Sequence, residues 1–578
     1  MLRLGRASSF VFNKLETPAS LRPFLSSFQS TICSTRSLPR RALSSTTEPQ
    51  NDLYNYTSGR WLYNESLRQK ERRTHFDVDG LCRLAAESVN QSPTDVVSMS
   101  KLAEGGFNRT LVVALRDGRQ VVARVPYPLT APNYHAVASE VATIEYQRSL
   151  GIPVPKIYGY SADSNNAAGT PYILMEFVHG STLGDVWSSL RDEEVVSVVR
   201  QLTQLEARMM AQPFPAGGSL YFTKDLEKVT PGLGVPLDDK RFCIGPDTEW
   251  ALWYGRRAGL DVNRGPYHSA EAALAAAAQK ELVYLKHFGQ PLLPMRRERR
   301  SCYKYQPQSP SAHVENLERY LRIAPALVPR DPAQSRFTIR HQDLHPNNIL
   351  VSRAPDGSDC KIVSLLDWQH TQILPMFLLA GISRHLCVQK GAQAMAPPAR
   401  PEGLDEMDPD QRESEEDDYR GQLAHYQYVK STREINPLHY AAFSDPLHDL
   451  RDRLFLYAGA PWQGETSDLK EALIEAKDAW EELAGAGVPC PLEFDKKDLE
   501  ETALLGKELL GETRAFELLQ LFRLVGEQGW VSVENYEEVV DFFKECKEDG
   551  LAEAESEKER EEIRAHWPWD DMDERMYM

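Results

Sequence analysis

The stretch Arg340–Gln369, RHQDLHPNNILVSRAPDGSDCKIVSLLDWQ, decides how this chain reads. Ile349-Leu350-Val351 and Ile362 to Leu366 are apolar runs of strand composition, and Ala354-Pro355-Asp356-Gly357 between them carries a turn. A hairpin brings its open ends together. At that mouth stand Asp343 and Asn348, five positions apart on one loop, and Asp367 at the end of the second run. Two carboxylates and an amide carbonyl are hard oxygen ligands, suited to Mg²⁺ whose shell is completed by substrate phosphates. One carboxylate left off the metal can accept a hydroxyl proton. That is the division of labour in kinase-type phosphoryl transfer.

Working outward, Val96–Met99, Thr110–Leu115 and Gln120–Val125 read as strands, the last two joined by the tight turn Asp117-Gly118. His135–Leu150 reads as a helix, with Val137, Val141, Ile144 and Tyr146 near helical spacing, stopped by Gly151 and Pro153. Lys156–Tyr160 and Tyr172–Val178 read as two further strands. After Gly180 the pattern is largely helical, with helices expected over Glu193–Met210, Ala270–Phe288, Leu469–Ala484 and Asp498–Leu524. Glu402–Asp418 is acid-rich, contains Pro409 and holds almost nothing apolar, so a solvated loop is expected there. Glu553–Arg564 is charged nearly all round, which predicts an exposed helix or a frayed end.

The motif His341-x-Asp343-x4-Asn348 followed by Asp367 resembles that of the aminoglycoside phosphotransferase/choline kinase group of the protein-kinase-like superfamily. Glu104–Thr110, Val122–Pro126, Gly151–Pro155 and Leu366–His370 are similar to the fungal mitochondrial family altered inheritance of mitochondria protein 9, over about residues 75–545. The resemblance implies an α+β, bilobal protein-kinase-like fold. A small β-rich lobe with one main helix would span 75–180, and a large helical lobe carrying the hairpin would span 181–545. ATP and Mg²⁺ would bind between them. By the same resemblance Asp343 is the catalytic base, His341 braces its loop, and Asn348 and Asp367 hold Mg²⁺.

Gly105-Gly106, with Phe107 and Asn108, falls where a phosphate-covering loop belongs, although a GxGxxG pattern is absent and an ordinary turn stays open as a reading. Arg124 stands where the superfamily normally has a lysine contacting phosphates, with Glu140 on the following helix placed to pair with it. Arginine keeps the charge but has a bulkier planar fork. Either it binds phosphate with altered geometry, or the pair only staples strand to helix. Glu176-Phe177-Val178 lies at the lobe junction, where the backbone would bond adenine.

The chain has 578 residues, 42% of them apolar, enough for a large core. The first 45 residues carry seven basic side chains and one acid and are rich in Ser and Thr, the composition of a mitochondrial transit peptide cleaved near Arg40-Arg41. They hold a net +6 of a total −18, which leaves −24 on the remainder. Such an acidic surface repels phosphate backbones, so no nucleic-acid partner is expected. The eight cysteines are scattered with no CxxC pair, as in a reduced compartment. Met376–Ile382 is apolar but too short to span a bilayer. Residues 46–74, with Tyr54, Tyr56, Trp61 and Tyr63, are expected to pack as an N-terminal extension, and 546–578 to form a charged tail.

Rival readings of the same residues are weak. His341 and His345 have zinc-ligand spacing, but Pro346 opposes the helix that spacing needs and no third ligand is evident. His370 reads as a structural histidine. Trp253-Tyr254-Gly255-Arg256-Arg257 offers basic contacts to an anionic acceptor if it faces the cleft. No DFG or APE segment marks a protein kinase. The expectation is therefore an ATP- and Mg²⁺-dependent phosphotransferase acting on a hydroxyl of a small molecule in the mitochondrial matrix. The alternative, motivated by Arg124, is a nucleotide-binding pseudokinase that serves as a mitochondrial maintenance or assembly factor.

Overall fold

The computed structural model describes residues 52–354, 359–382 and 396–578. The expected presequence and its cleavage point, Cys33, Cys387 and the hairpin tip at 355–358 lie outside the described residues.

The described chain opens with β1 (Gly59–Trp61), α1 (Glu65–Arg72) and α2 (Val78–Ser88). A five-stranded antiparallel sheet follows: β2 (Val96–Glu104), β3 (Asn108–Leu115), β4 (Gln120–Pro126) and, after α3 (Asn133–Ser149), β5 (Ile157–Ser161) and β6 (Tyr172–Glu176), in the order β2-β3-β4-β6-β5. The two-residue alternation of these strands buries both faces. Leu111 and Val113 of β3 and Val121, Ala123 and Val125 of β4 pack with Leu81, Ala85 and Ala86 of α2. The intervening residues Val122, Ile173 and Met175 pack with Val137, Ala138 and Val141 of α3. Arg124 shares the Val122 face, which aims it at α3. Residues 136–144 of α3 are all buried, which its small side chains Ala136, Ala138, Ser139 and Ala142 allow.

Beyond β6 the chain crosses into the larger lobe. β7 (Ser181–Thr182) pairs with the first strand of the Ile349–Leu365 hairpin, and Gly180 just before it lies so close to that hairpin that a Cβ would sit 2.9 Å from the Val351 carbonyl. The amphipathic α4 (Asp192–Met210) has three acids in its first turn, which complement the helix dipole. Its Val195, Val198, Val199 and Leu202 bury against Leu344, Ile349, Val351 and Leu365. Then come β8 (Ser219–Phe222), β9 (Val235–Pro236), β10 (Phe242–Gly245), α5 (Ala270–Phe288) and α6 (Pro310–Leu327). The insertion expected to be helical thus also holds a small sheet, β8-β10-β9, whose strands of two to four residues are too short to show periodicity.

The hairpin is β12 (Ile349–Arg353) against β13 (Cys360–Leu365), flanked by β11 (Phe337–Ile339) paired with β14 (Ile373–Pro375). After it run α7 (Pro409–Ile435), α8 (Lys496–Phe522), β15 (Trp530–Ser532), α9 (Tyr536–Glu553) and α10 (Glu557–His566). The acidic stretch expected to be a loop is instead helical from Pro409 onward. Proline suits a first helical turn, Arg420 pairs with Glu416 at 3.3 Å and Asp417 at 2.9 Å, and the later turns bury Leu423, Ala424, Tyr428 and Val429.

The two chain ends meet. β1 pairs antiparallel with β15, and Asn64 donates to Glu574 at 2.7 Å while accepting from the Met572 amide at 2.9 Å. Trp567 and Trp569 pack with Leu519, Val531 and Phe543. The boundary drawn at 545/546 therefore falls inside α9, and the charged tail is docked through its tryptophans rather than projecting as a tail. Among the described residues no helix is long and apolar enough to cross a membrane.

Candidate active site

Two backbone bonds position the hairpin mouth. The Leu366 amide donates to the Asn348 carbonyl at 2.8 Å, which sets Asp367 beside the loop that carries Asp343. The Leu365 amide donates to Pro153 O at 2.8 Å, which fastens the hairpin to the Gly151–Pro155 segment of the small lobe. His341 is buried; its Nε2 donates to Leu366 O at 2.8 Å and its ring lies 4.5 Å from that of Trp368. Burial holds His341 below its ordinary value against the pull of that carbonyl, so the ring is a neutral donor at neutral pH. The Asn348 amide donates to the Asp343 carbonyl at 2.9 Å and to its Oδ2 at 3.2 Å. Asp343 is presented outward, its side chain 61% exposed.

Arg124 reaches across the lobes. Its Nη1 lies 2.9 Å from Glu140 Oε1 and its Nη2 donates to Asp367 Oδ1 at 2.5 Å. Asn108, with its amide oxygen toward the guanidinium, accepts from Nη2 at 2.8 Å and Nε at 3.1 Å. Arg124 is held more strongly protonated, because Asp367 and Glu140 outweigh the penalty of burial. Burial pushes the Asp367 carboxyl up, but Arg124 overrides it and keeps the group below the ordinary carboxylate value. Burial pushes Glu140 up, with Arg124 pulling against it. Asp367 has φ 62°, a left-handed conformation that a non-glycine residue adopts only where the surroundings demand it.

The Gly105-Gly106 loop joins β2 to β3. Gly105 N donates to Asn108 O at 3.0 Å, and a Cβ added at Gly106 would meet nothing within 4 Å. Phe107 O accepts from the Tyr127 amide at 2.9 Å and from Thr130 Oγ1 at 2.6 Å, while its ring sits 5.4 Å from that of His370. Glu176 closes β6, and its Oε2 accepts from the Lys156 amide at 3.1 Å. Val178 lies two residues past the last strand position, so its backbone is outside the sheet ladder.

Other residues of the site left little trace in the sequence. Gln369 Oε1 accepts from Arg124 Nη2 at 3.2 Å, so it braces the interlobe contact. Gln342, next to Asp343, donates to Gln372 Oε1 at 3.0 Å, and Gln372 donates to Asp247 Oδ2 at 2.9 Å. Burial, with the Glu249 charge adding to it, pushes Asp247 up to about 7. The basic contacts expected of Arg257 are not available: it is fully buried, paired with Glu281 through Nε at 2.8 Å, and stacked over Tyr284. His370 Nδ1 donates to Thr248 O at 2.6 Å, a structural bond. His345 caps the turn after it by accepting from the Asn347 amide at 3.2 Å. Among the described residues no three His, Cys, Asp or Glu side chains gather to hold a metal. The Asp367 carboxylate and the Asn348 amide carbonyl are hard oxygen donors, whose chemistry fits a phosphate-borne Mg²⁺ that they would hold together.

Residues 98–378 match the model of the phosphotransferase enzyme family. A subtelomeric hrmA-associated cluster protein of Aspergillus fumigatus is 29% identical over 516 residues, covering 82% of this chain and 97% of that protein. The mitochondrial altered inheritance of mitochondria protein 9 of Saccharomyces cerevisiae is 22% identical over 575 residues, covering 86% of this chain and 89% of that one. A solved streptomycin–ATP complex of the aminoglycoside phosphotransferase APH(2″)-IIa aligns at 9% identity and TM-score 0.33, over 66% of this chain and 92% of its own. The chain is thus similar, over residues 98–378, to the phosphotransferase enzyme family, and over most of its length to altered inheritance of mitochondria protein 9.

Proposed function

We propose that this protein transfers the terminal phosphoryl group of ATP to a hydroxyl on a small molecule, and does so in mitochondria. The observation that carries the reading is the tethered, outward-facing Asp343, bonded to Asn348 and set beside Asp367 at one hairpin mouth. Asp343 accepts the acceptor's hydroxyl proton as that oxygen bonds to phosphorus and the bridging oxygen leaves with ADP. Such general-base work is worth about 10²–10⁴-fold. Asn348 orients Asp343 by donating to it, and His341 fixes the Leu366 carbonyl so that Asp367 stays in place. Asp367 and Asn348 would hold Mg²⁺, which neutralises charge on the transferred group. Gly105 and Gly106 let backbone amides approach the phosphates, and the chain beyond Glu176 offers backbone groups to adenine. The basic, acid-poor first 45 residues and the names of the relatives support the compartment.

A second reading rests on one contact. Arg124 occupies Asp367 Oδ1 at 2.5 Å, so a nucleotide-binding protein without turnover would look the same. Incubation of the full chain with ATP labelled at the γ or the α phosphate, plus a mitochondrial metabolite extract, separates the two. A γ-labelled product formed by wild type and not by Asp343→Asn supports transfer. An α-labelled product, or none, overturns it. A fluorescent fusion to residues 1–45 that stays cytosolic would overturn the compartment.

A further inference from the structure

The loop that carries Gly105 and Gly106 is exposed at its tip and gripped at its stem. The stem closes on Glu104, the last residue of β2, paired across the ladder with Arg109 of β3. Both side chains are spent on residues 52–74, which lie outside the stretch 98–378 that matches the phosphotransferase enzyme family.

Glu104 Oε2 accepts from the Thr57 amide at 2.8 Å, the Ser58 amide at 2.9 Å and Thr57 Oγ1 at 3.3 Å. Its Oε1 meets Lys101 Nζ at 2.9 Å and Arg109 Nε at 3.4 Å. Lys101 also donates to Asn55 O at 2.8 Å and to Thr57 Oγ1 at 2.7 Å. Burial pushes the Glu104 carboxyl up, but the Thr57 amide, Lys101 and Arg109 override it and hold the group below its ordinary value. Arg109 is fully buried and donates through Nη1 to Leu53 O and Tyr54 O, both at 2.9 Å, and through Nη2 to Arg72 O at 3.4 Å. Arg72 ends α1, so the guanidinium also meets the negative end of that helix. A third link runs through Tyr127. Its amide donates to Phe107 O in the loop at 2.9 Å, and its ring is buried with Tyr56 and Trp61. These bonds are charge-assisted and sheltered, unlike a surface ion pair: the Glu104 side chain is 4% exposed. Residues 52–74 are anchored in turn by β15 and Glu574.

We propose that Glu104 and Arg109 are positioning residues for the nucleotide: they transmit the docking of residues 52–74 to the Gly105-Gly106 loop and hold that loop ready for the triphosphate. Glycine allows close approach to phosphate but leaves the backbone loose. A stem gripped from outside removes that looseness before the ligand arrives, which is pre-organisation. The inference deepens the phosphotransfer reading and rests on its nucleotide site.

The test is Glu104→Ala in the full chain. It frees the Thr57 and Ser58 amides, which are exposed and can turn to water. Amide hydrogen exchange at residues 105–108, measured without nucleotide, should become about tenfold faster. Isothermal titration should show Mg²⁺·ATP bound roughly tenfold more weakly and adenosine bound as before, because the loop serves the phosphates alone. A purely structural loss would weaken both ligands alike. Should Glu104→Ala fail to fold, Lys101→Met, which removes the contacts to Asn55 and Thr57 from a partly exposed side chain, should show the same split severalfold. Unchanged exchange, unchanged Mg²⁺·ATP affinity, or equal weakening of adenosine in a folded variant would overturn the proposal while wild type still binds Mg²⁺·ATP. Wild type that binds neither ligand is a separate result: it overturns the nucleotide site itself, and this inference with it.

Discussion

Replacing Arg124 by lysine should strengthen binding of Mg²⁺·ATP. The guanidinium spans two carboxylates, Glu140 at 2.9 Å and Asp367 at 2.5 Å, and a single ammonium on a shorter reach cannot hold both. Glu140 is 2% exposed and Asp367 has a side chain 41% exposed, so the lysine keeps the buried partner and releases the exposed one. A charged hydrogen bond contributes roughly 1.5–3 kcal/mol. The exposure of Asp367 screens the pair and places it at or below the bottom of that range. Removing a competitor of roughly 1.4 kcal/mol raises affinity about tenfold. Isothermal titration of Mg²⁺·ATP into wild type and Arg124→Lys checks this. Arg124→Ala provides the contrast: it also frees Asp367 but strands buried Glu140, at a cost of about 3–5 kcal/mol in folding. If Arg124→Lys binds Mg²⁺·ATP more weakly than wild type, Arg124 is a phosphate ligand and the competition argument is wrong.

Two buried histidines should make acid costly to the fold well above the carboxylate range. Burial holds His135 and His313 down to about 4, so each stays neutral in the fold where the unfolded chain protonates near 6.5. Their contribution is complete above about pH 6.5 and is lost as pH falls toward 4, roughly 3 kcal/mol for each. Asp247, pushed up to about 7, contributes the opposite slope over the same window, so the histidine effect is read as a difference: in urea titrations from pH 7.5 to 4.5, His313→Gln should lose less stability with acid than wild type does. The same pH dependence in both proteins would contradict the assignment. Trp61, on the strand that ties the N-terminal extension to β15, is 2% exposed among Tyr56 and Tyr127, and Trp61→Ala should cost about 3–5 kcal/mol. A loss below about 1 kcal/mol would show that the meeting of the two ends is not part of the cooperative fold.

The small lobe was readable because its strands alternate: Leu111, Val113 and Leu115 face one core while Val122 and Arg124 face α3. The helix Ala270–Phe288 was readable to the residue because an alanine run without Gly or Pro has no competing conformation. The polar residues of the hairpin mouth were legible for a different reason, since a hairpin forces residues at its two ends together. What escaped has physical causes too. The acids of 409–418 look like loop until Arg412 and Arg420 are placed one turn away from Glu416 and the apolar anchors at 423–429 are counted with them. Gln369 and Gln342 act through single amide hydrogen bonds, which leave no period or charge pattern. Trp567 and Trp569 sit in so charged a segment that its composition hides two buried side chains.

The most direct test of the interlobe site is a Mn²⁺ electron paramagnetic resonance titration in the presence of ATP. Asp367→Asn suits it, because asparagine tolerates the φ of 62° and keeps the side-chain shape while removing the charge. The geometry predicts one nucleotide-dependent Mn²⁺ per wild-type chain, affinity reduced at least tenfold in Asp367→Asn, and affinity largely kept in Asp343→Asn. A folded Asp367→Asn protein that binds Mn²⁺ and ATP as wild type does would show that Asp367 holds no metal and contradict the account.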